Sequence, residues 1–162
     1  MRRTGAVTAG IVGGMLLLSG CGAVDLPLAG VRIAADGTPY AVFRPCGDDG
    51  YRGPHLDGRP RGGGEGPVTT GWDTNREGLG GDADFPLFGP PAGWRARHRG
   101  AQRLLPRHHY VLRFGHYTGG DSYNGSVEFT GEQIGRLRPG RVWADGRAMS
   151  PRAFERLAAD AC

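Results

Sequence analysis

Hydrophobic and polar residues alternate over several short segments of this chain, which is the pattern of β-strands with one buried face. The longest such run covers residues 107–117, where Tyr110, Leu112 and Phe114 fall on one face. Shorter segments with the same pattern are 31–35, 38–43, 94–98, 126–129, 141–144 and 147–149. The chain is therefore predicted to consist mainly of short strands.

Two Asp-Gly dipeptides lie between these segments and indicate β-hairpins, because a tight two-residue turn requires positive φ at both positions. For the turn at Asp36-Gly37, the predicted pairs are Ala35–Thr38, Ile33–Tyr40 and Val31–Val42. For the turn at Asp145-Gly146, the predicted pairs are Val142–Met149 and Trp143–Ala148.

Two helix starts are recognisable in the last third of the chain. Thr130 and Gln133 have the spacing of a capping box, and Ser150 precedes a proline at the first helical position. The second helix has an apolar stripe formed by Phe154, Leu157, Ala158 and Ala161. The predicted fold is mainly β with some α: a small antiparallel β-sandwich or curled sheet with a C-terminal helix packed on it.

Residues 47–93 contain few apolar residues and much of the chain's glycine and proline, which number 31 and 12 in the whole sequence. Such a composition offers little apolar burial to offset the entropy of ordering. We therefore predict a long, partly disordered loop at 47–93 that interrupts a single domain.

The charge is mildly basic and evenly spread. The formal net charge is +4, and all 20 basic residues are arginine. No basic stripe of the kind that binds nucleic acid is visible, so we expect no nucleic-acid partner.

The first residues have the organisation of a secretory signal. Arg2 and Arg3 precede an apolar run that is too short to cross a bilayer, and this run ends in Leu18-Ser19-Gly20-Cys21. The tetrapeptide resembles the lipobox of bacterial lipoproteins, and with the absence of lysine the chain resembles small surface lipoproteins of actinobacteria. The resemblance implies cleavage before Cys21, attachment of a diacylglycerol with palmitate-type chains to its thiol, and a secreted protein held on the extracellular face of the cell membrane. An ordinary secretory signal that is cut elsewhere is the alternative.

This resemblance also organises the chain and its cysteines. It implies a signal peptide at 1–20 and a tether at 21–28, and the length and strand pattern of the rest predict one β-rich domain at 29–162. If Cys21 carries lipid, Cys46 and Cys162 remain in an oxidising compartment, and we predict a disulfide between them. Two free thiols are the alternative, and a metal site at these cysteines lacks the usual neighbouring ligands.

Three further patterns partly resemble catalytic or metal-binding sites. Asp73, Asn75, Glu77 and Asp84 partly match the ligand spacing of an EF-hand calcium loop, but the flanking helices are missing. Asp121-Ser122 lies in a block similar to that of the GDSL hydrolases, although no histidine follows it to act as a base. His98, His108, His109 and His116 are spaced too widely on strands, or point to opposite faces, to share one metal.

We therefore expect no catalytic residue, no cofactor and no firm metal site. The leading hypothesis is a membrane-anchored, non-enzymatic envelope lipoprotein that binds an envelope protein or a cell-wall ligand. The alternative is an extracellular hydrolase or metal-dependent enzyme that uses loops 47–93 and 118–125.

Overall fold

The computed structural model describes residues 23–48, 50–62, 66–116 and 123–162. Within these ranges the chain forms short strands, two α-helices and one 3₁₀ turn. The strands are β1 (Val24–Leu26), β2 (Ala29–Ile33), β3 (Pro39–Phe43), β4 (Gly50–Pro60), β5 (Thr70–Asp73), β6 (Leu79–Gly80), β7 (Ala83–Pro86), β8 (Arg97–Arg99), β9 (His108–His116), β10 (Tyr123–Thr130), β11 (Val142–Ala144) and β12 (Arg147–Met149). The helices are α1 (Gly131–Gly135) and α2 (Pro151–Ala161), and the 3₁₀ turn covers Ala92–Trp94.

The strands form two sheets that pack face to face. The larger sheet has the order β1-β10-β9-β4-β5-β8, and β6 pairs with the beginning of β4. The smaller sheet has the order β12-β11-β2-β3-β7. All of these pairs are antiparallel except β1 with β10. The predicted class, a mainly β sandwich with a C-terminal helix, is confirmed.

Aromatic side chains fill the space between the sheets. Phe43 of the smaller sheet lies 4.8 Å, centroid to centroid, from Phe114 of the larger sheet, and Trp94 lies 4.9 Å from Phe85. Edge-on and tilted arrangements such as these are favoured by the ring quadrupoles. A few large rings therefore provide a core despite the high glycine content.

Helix α2 covers the outer face of the smaller sheet. Its Phe154 joins a separate apolar cluster with Val42, Val142 and Met149. Both predicted helix starts are confirmed: the Thr130 hydroxyl and the Gln133 side chain cap α1 reciprocally, and the Ser150 side chain accepts from the Ala153 N–H at the start of α2. Among the described residues, no helix combines the length and the apolar character that a membrane span requires.

The predicted disulfide is confirmed. Cys46 lies three residues after β3 and Cys162 directly follows α2, and their Cα atoms are 5.5 Å apart. The bond connects the end of the helix to the sheet on which it packs, over a sequence separation of 116 residues.

The pairing at Asp145-Gly146 is confirmed, with Val142 opposite Met149 and Trp143 opposite Ala148. The pairing at Asp36-Gly37 was wrong by one residue. Gly30 lies opposite Val42, Val31 opposite Ala41, and Ile33 opposite Pro39.

The shift in this first hairpin has a local cause. Three residues form its loop, because the Ala34 N–H donates to the Thr38 carbonyl and the Gly37 N–H donates to the Ala34 carbonyl. Of the loop residues, Gly37 has positive φ, at 85°, as expected for a type I turn followed by a bulge. The shift places Ala41 and Phe43 on the same buried face as Val31.

The prediction of a loop over 47–93 was also wrong. This segment contains β4, β5, β6 and β7, and β4 lies inside the larger sheet between β9 and β5. The segment has few apolar residues, but they are large and fully or almost fully buried: Tyr51, Leu56, Trp72, Phe85 and Leu87. The composition alone suggested that the entropy cost of ordering this segment would exceed the gain from apolar burial. The burial of these large side chains offsets that cost.

Two other expected segments have different bounds in the structure. The strand expected at 94–98 begins only at Arg97, because Arg95 adopts a left-handed conformation after the 3₁₀ turn. Within the range 21–28 expected as a tether, β1 (Val24–Leu26) pairs with β10 and Leu28 is fully buried, so these residues belong to the folded domain. The strand expected at 107–117 is confirmed over His108–His116 as β9, and Tyr117 lies outside the described residues.

Candidate functional site

The outer face of the larger sheet carries a polar cleft where β4 bends. The pairing of β4 with β9 changes register between Arg52 and His55, and Gly53 there has φ of 56°. A bulge of this kind re-aims side chains and increases the local twist. Both Arg52 and His55 consequently line the same outer face.

We call this feature the Arg113 cleft. It has a volume of about 500 Å³ and is lined by Arg52, Gly53, His55, Thr74, Asn75, Glu77, Arg113, Gly115 and Asn124. Gly115 of β9 lies opposite Arg52 on one side and Asn124 on the other. The missing side chain at Gly115 leaves a trough between these neighbouring strands.

An ion pair with Asp25 of β1 fixes the side chain of Arg113. Its Nη2 donates to Asp25 Oδ2 at 2.8 Å, and Asn124 Nδ2 donates to the other oxygen of Asp25 at 2.9 Å. The Nε of Arg113 is buried and has no hydrogen-bond partner. Asp25 thus fixes the guanidinium without satisfying all of its donors.

His55 is oriented by the bulge itself. Its Nδ1 lies 2.9 Å from the carbonyl oxygen of Gly53. Because a carbonyl only accepts, Nδ1 carries a proton, and in the neutral imidazole Nε2 is left as an acceptor. His55 can therefore accept from a ligand when neutral and donate to it when protonated.

The rim of the cleft is a short ordered segment after β5. The Thr74 hydroxyl donates to the Trp94 carbonyl at 2.7 Å and accepts from the Arg76 N–H at 3.1 Å. The Gly53 N–H in turn donates to the Arg76 carbonyl at 2.9 Å. These bonds fasten the segment that bears Asn75 and Glu77 to the bulge of β4.

The four calcium candidates are not brought together. Asn75 and Glu77 line the cleft, but the Asp73 carboxylate pairs with Arg97 and Arg99. Asp84 lies on β7 in the other sheet, 3.1 Å from an Arg44 guanidinium nitrogen. Within the described ranges, no three histidine, cysteine, aspartate or glutamate side chains are grouped as a metal site would require.

None of His98, His108 and His109 lines the Arg113 cleft. Asp121 and Ser122 fall outside the described residues, and so does the side chain of His116. The other histidines have their own partners: His98 Nδ1 is 2.9 Å from Gln102 Oε1, His108 Nδ1 is 3.0 Å from the Pro106 carbonyl, and His109 Nε2 is 3.4 Å from Glu128.

A second cleft, of about 450 Å³, is mainly apolar. It is lined by Thr38, Pro39, Pro86, Leu87, Phe88, Gly89, Gln102, Arg103 and Leu104. Its Phe88 packs edge-on against Tyr110, with centroids 6.2 Å apart. The tyrosine hydroxyl accepts from the Leu105 N–H at 2.8 Å, which fixes the loop beside it.

Sequence reasoning missed most of the Arg113 cleft. The alternation over β9 does place Arg113 on the polar face, opposite Leu112 and Phe114. No pattern linked it to Arg52 or Asp25, which are distant in sequence and meet only through strand pairing.

Comparison with known proteins gives no further assignment. No protein family, no curated protein and no solved structure matches this chain.

Proposed function

We propose that this protein is a membrane-anchored lipoprotein of the cell envelope, acylated at Cys21, which acts as a non-enzymatic binding module. It would lie on the extracellular face of the cell membrane and bind an envelope partner or a cell-wall ligand. The lipobox-like residues 18–21 motivate the anchor, and the Arg113 cleft is the binding site that the geometry favours.

The observation that carries this proposal is the position of β1. Only Gly22 and Ala23 separate Cys21 from Val24, the first residue of the strand. Since an extended residue spans at most about 3.6 Å, the Cα atoms of Cys21 and Val24 can be no more than about 11 Å apart. A lipid on Cys21 would therefore hold this end of the sandwich close to the bilayer surface.

The surface near the proposed anchor supports the same arrangement. Val24 is 62% exposed and is the one large hydrophobic residue recorded as exposed among the described residues. An exposed valine beside an acyl chain suits the boundary between headgroups and water better than it suits bulk water. The adjacent Asp25 belongs to the support of the Arg113 cleft, so a lipid on Cys21 would bring the membrane to the side of the cleft that Asp25 supports.

The chemistry of the cleft favours binding over catalysis. Its described lining offers guanidinium, imidazole, amide and carboxylate groups, which recognise ligands through charge and hydrogen bonds. Its one hydroxyl among the described residues, on Thr74, already donates to the Trp94 carbonyl and so holds the rim in place instead of serving as a nucleophile.

The test is the chemical state and location of Cys21. We expect intact mass spectrometry of membrane-extracted protein to give an N-terminus at Cys21 carrying acyl chains. Cys21→Ser should abolish acylation and processing and remove the mature form from the membrane. Ser19→Ala is the matched control, since it changes a neighbour and keeps the thiol. An unacylated mature N-terminus at another residue would refute the proposal.

A further inference from the structure

We propose that the Arg113 cleft binds the phosphate group of a membrane-lipid headgroup next to the anchor. This rests on the proposed function, because acylation of Cys21 is what brings a lipid surface to this face of the sandwich. It goes beyond that function by naming the ligand class and the groups that recognise it.

Arg52 and Arg113 lie on neighbouring strands and both line the cleft. Arg52 pairs with Gly115, and Arg113 is two residues earlier on the same strand and face. Diagonal neighbours on a sheet are about 7–8 Å apart at their Cα atoms. Two guanidinium groups can converge on a phosphate over that distance, and guanidinium is the side chain best matched to its oxygens.

Gly115 provides the room for such a ligand. A Cβ at this position would lie 3.6 Å from Asn124 Oδ1 and 3.7 Å from the Arg52 carbonyl oxygen, both ordinary contacts. The backbone therefore tolerates a side chain here, while the trough between the arginines would be filled by a larger one. This gives a way to block the cleft without removing a charge.

The acidic groups near the cleft set limits that can be tested. The Asp25 carboxylate accepts a hydrogen bond from Nη2 of Arg113. This ion pair fixes the arginine and neutralises part of its positive charge. Glu77 lines the cleft and would repel a phosphate. Its neutralisation should therefore strengthen phosphate binding, whereas loss of an arginine should weaken it.

Distance from the membrane identifies the source of the phosphate. Asp25 is four residues after Cys21, which limits their Cα separation to about 14 Å. The headgroup zone of a bilayer extends about 5–8 Å beyond the hydrocarbon on each side. This limit keeps Asp25 close to the leaflet that would hold the anchor, and we therefore take a headgroup of that leaflet as the source of the phosphate.

The experiment uses the acylated full-length product in non-ionic detergent micelles. The micelles are doped with phosphatidylethanolamine, or with diacylglycerol as a lipid that lacks phosphate, and inorganic phosphate is titrated separately. The readout is the Nε–Hε nuclear magnetic resonance signal of Arg113, assigned by its loss in Arg113→Gln. We expect the phospholipid to shift this signal, diacylglycerol to leave it unchanged, and inorganic phosphate to shift it at higher concentration.

Substitutions show whether each residue strengthens or weakens the binding of phosphate. Arg113→Gln and Gly115→Leu should each weaken binding at least about tenfold, as expected for a lost charge-assisted hydrogen bond or a filled site; for these variants binding is followed through the Arg52 signal. Glu77→Gln should strengthen binding of inorganic phosphate. Arg97→Gln is the control, because Arg97 pairs with Asp73 on the same sheet face outside the cleft, and it should bind as the unchanged protein does.

Three results would overturn the inference. They are no shift with either phosphate-bearing probe, an equal shift with diacylglycerol, or a shift with inorganic phosphate alone. In each of these cases the protein could still be acylated at Cys21 and membrane-bound, so the anchored-module function would stand. A protein that is not acylated, yet binds phosphate, would refute both the anchor and the headgroup source.

Discussion

Removal of the disulfide tests how α2 is held against the smaller sheet. The matched perturbation is the double substitution of Cys46 and Cys162 by serine, which leaves no single thiol to form other bonds. The helix would keep its buried Phe154 and the Arg44–Glu155 ion pair at 2.9 Å. We therefore expect the fold to survive with reduced stability, and the last turn of α2 to fray first.

The size of the effect follows from the chain that the bond closes. The sequence separation of 116 residues corresponds to about 5 kcal/mol of lost chain entropy in the unfolded state. Measured losses for native disulfides are about 2–5 kcal/mol. For a domain of this size, 1 kcal/mol corresponds to about 3 °C in melting temperature, so the decrease should be about 6–15 °C.

Thermal and urea unfolding, followed by circular dichroism, would measure this difference between the oxidised protein and the double variant. The reduced wild-type protein is the control for the substitutions themselves, and it should melt close to the variant. If the oxidised and reduced proteins melt within 1–2 °C of each other, a margin far below the expected shift, the chain-entropy argument is refuted for this fold.

Three other predictions concern the segments that the composition obscures. Gly71→Ala should prevent stable folding, because its Cβ would lie 1.8 Å from the Leu56 carbonyl oxygen. Gly135→Ala is the control: the space around Gly135 is open, so its melting temperature should change little. A stably folded Gly71→Ala protein would contradict the prediction. Burial, followed by the charge of Asp82, raises the pKa of Tyr51 to about 12. The folded protein therefore keeps a proton that the unfolded chain releases near pH 10, so stability should fall as the pH rises from about 10 to 12, and Tyr51→Phe should reduce that fall in alkaline melts. Hydrogen exchange should show strong protection over residues 55–58, because β4 pairs on both sides there, and rapid exchange would refute its central position.

The two Asp-Gly turns show how far local sequence determines pairing. At Asp145-Gly146 both residues have positive φ, 50° and 68°, and the two-residue turn is as predicted. At Asp36-Gly37 the aspartate instead accepts from the Thr38 N–H with its side chain, at 2.9 Å. Alanines at the neighbouring positions suit either face, so the hydrophobic pattern could not fix the register, which packing determines instead.

The prediction for 47–93 was wrong because its many glycines were interpreted as evidence that the segment contributes nothing to a core. In the fold several glycines are instead the places where another group approaches closely. A Cβ at Gly58 would lie 2.6 Å from the Tyr110 ring, and one at Gly125 would lie 2.2 Å from the Phe114 ring. These contacts are long-range, so no window of the sequence could distinguish such packing glycines from those of a flexible loop.

The Arg113 cleft was unpredictable for a related reason. Arg52 and His55 are three residues apart, and strict alternation along a strand would send their side chains to opposite faces. The bulge between them, with Gly53 at positive φ, returns both to the outer face. A one-residue irregularity therefore creates the site, and its partners Arg113 and Asp25 arrive from strands that are distant in sequence. The turn at Asp145-Gly146, β9 and both helices follow from local patterns, whereas the strands within 47–93 and the candidate binding chemistry depend on contacts between segments that are distant in sequence.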